Sequence, residues 1–404
     1  MSTLKVDGIR SNSASSDAIT LDGNGKCAVT GTTITADTGN FTNLPNRNLI
    51  INGAMQVAQR GTSSTTSGYG SVDRWQGQHA NTGVTVTHSQ QTLSSSDTPY
   101  QSGFGKFFRL ALSGAGTANA NAYLEMQYRT ESQDMLNSGW NYKSSSSFIT
   151  MSFWFRCSTN QTFLARVFNH DSLRGYDFSF TASGNNAWTK ITKTIPGNSN
   201  LVFNDDTGIG LRIHITPFYG TDYTNNLALD QWITGDPNNQ FPDMASTWLT
   251  AGASTFDITG VQLEVGSVAT DFEHLSFGED LHKCQRYYAR FGANAGGAGL
   301  NFSQGELYGQ GLVDNDGTIC EIQIRFPRTL RAEPTAVEQF GSADRYQVRR
   351  DTTLTCTSVP TFNSATVYSA SIGFHKSSHG WSTGQVANGL SAGSDSFLGF
   401  SAEL

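Results

Sequence analysis

Apolar residues recur at every second position through much of this chain, in short runs broken by turn formers. SFITMSFWFRCS puts Ile149, Met151, Phe153, Phe155 and Cys157 on one phase, and YDFSF does the same with Tyr176, Phe178 and Phe180. GLRIHITPF places Leu211, Ile213 and Ile215 on one side, with Arg212 and His214 facing the other way. A period of two is the signature of a strand with one buried face. The clusters STNQ, SGNNA, PGNSN and NDDTG separate these runs at the spacing expected of a sandwich or jelly roll. From about Tyr219 to Trp248 the apolar pattern weakens, which predicts a long loop of the kind that carries function or packs over a neighbour.

The stretch from Phe256 to Phe291 organises the rest. Phe256 and Ile258 alternate, Gly260 skips a step, and Val261, Leu263 and Val265 resume, which predicts a strand with a bulge or a close backbone approach at the glycine. Leu281, Cys284 and Tyr288 then follow helical spacing, and Glu279 and Asp280 suit the positive end of a helix dipole. Beyond it, ICEIQIRFP turns Cys320, Ile322, Ile324 and Phe326 inward. TVYSASIGFHK aligns Tyr368, Ala370, Ile372 and Phe374, and FLGFSAEL alternates through Leu398, Phe400, Ala402 and Leu404. The organisation predicted is an N-terminal β-rich attachment segment over 1–44, a jelly-roll β-sandwich over 45–275, a helical hinge over 276–291 and a smaller C-terminal β-sandwich over 292–404. Residues 1–44 alternate short strands (Leu4 to Gly8, Ala18 to Thr20, Val29, Thr33 to Thr35) with Gly/Asn/Asp turns, and carry too little apolar content to fill a monomeric core. Intertwining with copies of itself, or docking to a partner, is expected in preference to disorder.

GVQLEVGSVATDFEHLSFGEDLHKCQRYYARF resembles the end of a β-sandwich module of tail-fibre and receptor-binding proteins of tailed bacteriophages. NRNLIINGAMQVAQRGTS and YGSVDRWQ resemble the opening blocks of the same module, so the likeness runs in order from Asn46 to Phe291. The resemblance implies a homotrimeric virion appendage that binds a host surface glycan, attached to other virion proteins through its N-terminal segment. Two alternatives share these modules: a structural head, collar or capsid fibre without a receptor pocket, and a polysaccharide-degrading tailspike.

Composition supports the all-β reading. Of 404 residues, 15% are charged and 11% aromatic, with 25 Phe and 42 Gly, a mixture that suits pleated faces and tight turns over long helices. A net charge of -7 argues against phosphate-directed nucleic-acid binding and offers no polybasic handle for an anionic membrane. Cys27, Cys157, Cys284, Cys320 and Cys356 are widely spaced, odd in number and without a CxxC pair, so buried free thiols are expected, not a disulfide framework or a zinc site. MSTLKVDGIR lacks the apolar core of a signal peptide, and no stretch is long enough for a transmembrane helix. The expectation is a protein made in the host cytoplasm and carried in the virion.

Enzymatic signatures are missing: there is no G-x-S-x-G elbow, H-E-x-x-H pair, P-loop or Rossmann fingerprint. A carboxylate pair for glycoside hydrolysis needs only two acids at a set separation, and Asp171, Asp177, Asp230 and Glu264 are conceivable among 33 acidic residues. The short-period repeat of a parallel β-helix is not present. No enzyme is expected. Asp314 to Gly317 opens like a calcium loop, but Arg325 stands where the closing glutamate belongs, so a hairpin turn is the better reading. Jelly-roll carbohydrate modules often hold a structural calcium, yet no ligand set is readable and no cofactor is expected. Sugar recognition uses aromatic faces flanked by hydrogen-bonding side chains. Two aromatic groups in polar segments are the candidate ligand-binding residues: Tyr219, Tyr223 and Trp232 in the long loop, and His375, His379 and Trp381 in HKSSHGWSTG. Trp75 in VDRWQ reads as core.

Overall fold

The computed structural model describes residues 47–183, 185–235, 241–292, 307–314, 317–378, 380–393 and 395–404, together with three short strands nearer the N-terminus. The chain divides into two compact units, 1–45 and 46–404. In the first, β1 (Gly8–Ile9), β2 (Ile19–Leu21) and β3 (Cys27–Val29) pair antiparallel in the order β1-β2-β3. The strands expected at Leu4 to Val6 and at Thr33 to Thr35 lie outside the described residues.

The second unit opens with β4 (Ser63–Ser64), β5 (Trp75–Ala80), β6 (Val86–Thr92), β7 (Lys106–Leu112), β8 (Tyr123–Glu131) and β9 (Phe148–Cys157). It continues with β10 (Asn160–Asn169), β11 (Arg174–Ser183), β12 (Thr189–Pro196), β13 (Ile209–Tyr219), β14 (Trp232–Thr234) and β15 (Thr255–Val265). Two six-stranded sheets result, a front sheet ordered β14-β11-β10-β13-β8-β5 and a back sheet ordered β12-β9-β15-β7-β6-β4. Their facing phases share one core: Trp75, Tyr128, Phe163, Phe178 and Ile213 from the front meet Phe108, Phe153, Phe155, Phe256 and Leu263 from the back. The fold is a jelly-roll β-sandwich. Trp75 is fully buried against Tyr128 and Phe108, so the VDRWQ block supplies a core anchor.

A helix over Phe277–Cys284 follows, opened by a reciprocal capping box: the Ser276 hydroxyl accepts from Glu279 N, and the Glu279 carboxylate accepts from Ser276 N. After it come β16 (Tyr288–Gly292), β17 (Leu307–Val313), β18 (Ile319–Arg325), β19 (Glu338–Gln339), β20 (Tyr346–Arg349) and β21 (Thr353–Thr355). The last four are β22 (Thr361–Ala365), β23 (Ser369–His375), β24 (Val386–Ser391) and β25 (Phe397–Ser401). A seven-stranded sheet, β21-β20-β24-β17-β18-β23-β22, packs on a three-stranded one, β16-β25-β19, over a core that includes Ile322, Phe374, Tyr346, Leu398 and Phe400. Cys157, Cys284, Cys320 and Cys356 are buried thiols.

The second sandwich corrects one phase assignment. Tyr368 is 66% exposed, not aligned inward with Ala370, Ile372 and Phe374. β23 starts only at Ser369, and Tyr368 sits in a turn closed by Thr366 N donating to Ser369 O at 2.8 Å. Strand alternation therefore never reaches it.

The two sandwiches meet through arginines and tyrosines. Glu131, fully buried, accepts from Arg286 at 2.6 and 2.8 Å and from the Tyr287 hydroxyl at 2.7 Å. Arg74 stacks on the Tyr287 ring with its guanidinium 3.4 Å from the ring centre, and Arg60 lies 3.5 Å over Tyr288. Both arginines pair with Glu403. Arg331 donates to the carbonyls of Ala402, Glu403 and Thr207 at 2.7–2.9 Å.

Candidate functional site

The outward phase of the front sheet is where polar chemistry collects. On β8, Leu124, Met126 and Tyr128 point into the core, which turns Tyr123, Glu125, Gln127 and Arg129 to the other face. Register then sets their neighbours: Gln76 and Gln78 of β5 lie beside Gln127 and Glu125, and His214 and Arg212 of β13 lie opposite Gln127 and Arg129. Arg166 of β10 and Asp177 of β11 extend the same row.

These side chains are joined end to end. Arg129 Nε donates to Gln127 Oε1 at 2.6 Å, and Gln127 Nε2 donates to Glu125 Oε1 at 2.8 Å. His214 Nδ1 and Glu125 Oε2 are 2.5 Å apart. Gln78 donates to Gln76. Burial works against the Glu125 carboxylate, but the His214 imidazole and hydrogen bonds from His214, Tyr219 and Gln127 outweigh it and hold Glu125 below the ordinary range. Burial first, and the Glu125 charge second, push the Tyr219 phenol well above its usual value. Arg166 grips Asp177 with both prongs at 2.7 and 2.8 Å, beneath the Phe241 ring.

One part of the face is covered and another is left open. After Tyr219 the chain doubles back so that Tyr223 and Phe241 exchange backbone contact, and Phe241 then stacks on Tyr219 with ring centres 4.6 Å apart. Tyr123, Tyr219 and Tyr223 form a mutual cluster at 5.5–5.8 Å. Tyr123 and Tyr223 remain half-exposed at its margin, as do Gln78, Arg129 and Arg212 along the row. Desolvation and the neighbouring Arg129 charge lower the Arg212 pKa, and Arg212 Nε is buried without a hydrogen-bond partner among the described residues. The result is a shelf of planar amide and guanidinium groups ending at tyrosine rings, the combination that satisfies sugar hydroxyls edge-on and sugar rings face-on.

The candidate residues named from sequence are distributed as follows. Tyr219 and Tyr223 are brought together on this face, but Tyr219 is the last residue of β13 and only 6% exposed, not part of an open loop. Its phenol packs under Phe241 because a bulge between Ile215 and Phe218 keeps it on the outward phase. Trp232 lies elsewhere. It belongs to edge strand β14, where its Nε1 donates to Pro196 O at 2.7 Å and its ring meets Tyr176 edge-on. That tryptophan ties the front sheet to the end of β12. His375 ends β23 with Nε2 2.9 Å from the Thr361 hydroxyl, and Trp381 is half-buried against the C-terminal core, so neither forms part of the shelf. His379 lies outside the described residues. Tyr123, Glu125, Gln127 and Arg129 were missed, although the polar phase of YLEMQYR, with a long hydrogen-bonding side chain at every second place, was there to be read.

Among the described residues, no group of three His, Cys, Asp or Glu side chains is arranged to hold a metal ion, and no helix is long and apolar enough to cross a membrane. Neither a protein-family model nor a curated protein matches the sequence. Solved structures similar to this chain include the enzymatically active domain of tailspike protein 4 of bacteriophage CBA120, at 10% identity and a TM-score of 0.30, covering 55% of this chain and 22% of that one. TmCBM61 in complex with β-1,4-galactotriose is similar over 55% of this chain and 99% of its own, at 9% identity and a TM-score of 0.26. The N-terminal cellulose-binding domain of β-1,4-glucanase C from Cellulomonas fimi is similar over 53% of this chain and 99% of its own, at 12% identity and a TM-score of 0.25.

Proposed function

We propose that this chain is a non-enzymatic bacteriophage tail-fibre or receptor-binding protein that adsorbs to a host surface glycan through the outward face of its front sheet. It would act as a homotrimer in the virion, attached to other tail or adaptor proteins through residues 1–44. The observation that carries the glycan reading is the shelf itself. Gln78, Arg129 and Arg212 sit partly exposed across adjacent strands and end at the half-exposed Tyr123 and Tyr223, while the buried Glu125, Gln127 and His214 hold them in place from beneath. Strand-borne side chains locked to one another are pre-ordered, so little freedom is lost when a ligand docks. The resemblance of residues 46 to 291 to tail-fibre modules supports the virion setting, and weak sites on several copies would add through effective concentration.

The test is an array of bacterial surface polysaccharides probed with the whole protein, its mass in solution determined in parallel. Replacing Tyr223 by Ala and Arg212 by Ala is expected to weaken binding about tenfold or more each, since one removes a stacking face and the other a partly exposed guanidinium donor. A well-folded protein that binds no glycan displayed by a host its phage infects would sink the reading in favour of a structural virion appendage. Reducing ends released from a bound polysaccharide would turn it towards a tailspike.

A further inference from the structure

A depression of about 660 Å³ opens between the end of β18 and the helix Phe277–Cys284, on a different part of the molecule from the shelf. His282 reaches it from the helix, Arg325 from the last position of β18, Phe326, Arg328 and Thr329 from the following loop, and Tyr368 from the turn before β23. Its volume lies within the usual range of small-ligand clefts. Arg325 and Arg328 are both exposed, and among the described residues neither has a carboxylate within salt-bridge distance or a side-chain hydrogen bond. Many other arginines of this protein are paired with acids: Arg60, Arg74, Arg109, Arg156, Arg166 and Arg286 each hold one.

The wall is therefore cationic with no acid of its own to quench it. A guanidinium fork matches a carboxylate or a phosphate in two parallel bonds, and two such forks on one wall can share a single anionic group. Tyr368 adds the second element. Its ring is 66% exposed, and its backbone is pinned by Tyr368 N donating to the Thr366 hydroxyl at 3.1 Å. A large aromatic face held out by a rigid turn, beside Phe326 and the Thr329 hydroxyl, suits the flat side of a pyranose. We infer that this depression binds an anionic sugar, its charged group taken by Arg325 and Arg328 and its ring laid on Tyr368. The site shares no residue with the front-sheet shelf, so it stands or falls separately from the function proposed above.

Calorimetric titration of the full chain with trigalacturonate, mannose-6-phosphate and neutral maltotriose tests this. One of the two charged probes is expected to bind, and the Arg325→Gln/Arg328→Gln double variant to lose about tenfold or more in affinity, with the probe preferred naming carboxylate or phosphate as the source of charge. Tyr368→Ala should weaken the same probe, and raising salt should weaken it further. All three positions are exposed, so the variants are expected to melt with the parent. Failure of both charged probes at millimolar concentration, equal binding of maltotriose, or affinity unchanged in the double variant would each overturn the assignment. Shelf variants such as Tyr223→Ala are expected to leave this titration untouched.

Discussion

Asp73 shows how much a single side chain is asked to do in this molecule. It is 2% exposed, and its two oxygens accept from the backbone N–H and the side-chain amide of Gln59 at 2.8 and 2.5 Å. Gln59 in turn donates to Tyr288 O, so the carboxylate orders a link between the two sandwiches. Burial outweighs these bonds and pushes Asp73 up from 3.8 to about 6. Between those values the folded protein holds a proton that the unfolded chain has already released. Stability from this group is therefore full below the unfolded value and is lost as pH rises through about 6. At roughly 1.4 kcal/mol per unit, the loss amounts to about 3 kcal/mol. Urea unfolding across that window should show this decline in the parent and not in Asp73→Asn, which cannot titrate. Parallel slopes in the two proteins would contradict the account.

Among the elements, β15 carries a constraint at its glycine that can be tested directly. Its register against β9 shifts between Thr259 and Gln262, and Gly260 at the shift has φ of +61°. A Cβ there would stand 2.7 Å from the Phe104 ring. Left-handed backbone and a blocked methyl both penalise alanine, so Gly260→Ala is expected to cost about 3 kcal/mol in denaturant unfolding. Gly278, exposed in the helix with nothing within 4 Å of its would-be Cβ, should tolerate alanine or gain a few tenths of a kcal/mol. Equal effects at the two glycines would mean that the bulge is not the cause. The off-phase glycine was legible in the sequence because periodicity reports which side of a strand a residue takes. Periodicity is silent on what lies over that side. His214 was correctly placed outward, yet it is buried, because Phe241, 27 residues further on, folds back over it. For the same reason the sequence pattern does not reveal the strand end at Tyr219 or the role of the polar phase of β8: their meaning comes from cross-strand register and a returning loop, both long-range. Tyr368 failed for a local reason, since its strand begins one residue later than its apolar neighbours suggest.

At the scale of the whole molecule, the question is whether residues 46–404 unfold as one body or two. Each sandwich has its own apolar core, so nothing in the cores obliges them to melt together. The coupling rests on a few polar anchors, chief among them Glu403, 5% exposed along its side chain, between Arg60 and the fully buried Arg74. Arg74 also donates to Arg129 O, and Arg129 to Leu404 O, so the last strand's extension is tied to the polar face of the front sheet. Removing one member of such a buried cluster strands its partners without compensation, at a typical cost of about 3–5 kcal/mol. Glu403→Gln keeps the shape but leaves two arginines facing a neutral amide. If Glu403 is the weld, calorimetry should show one cooperative transition in the parent and two separated ones in the variant, the earlier belonging to the smaller C-terminal sandwich, whose core is the lesser of the two. A single transition at the parent's melting temperature would instead assign the coupling to the Glu131–Arg286–Tyr287 contact, and Glu131→Gln would then be the variant that splits the melt.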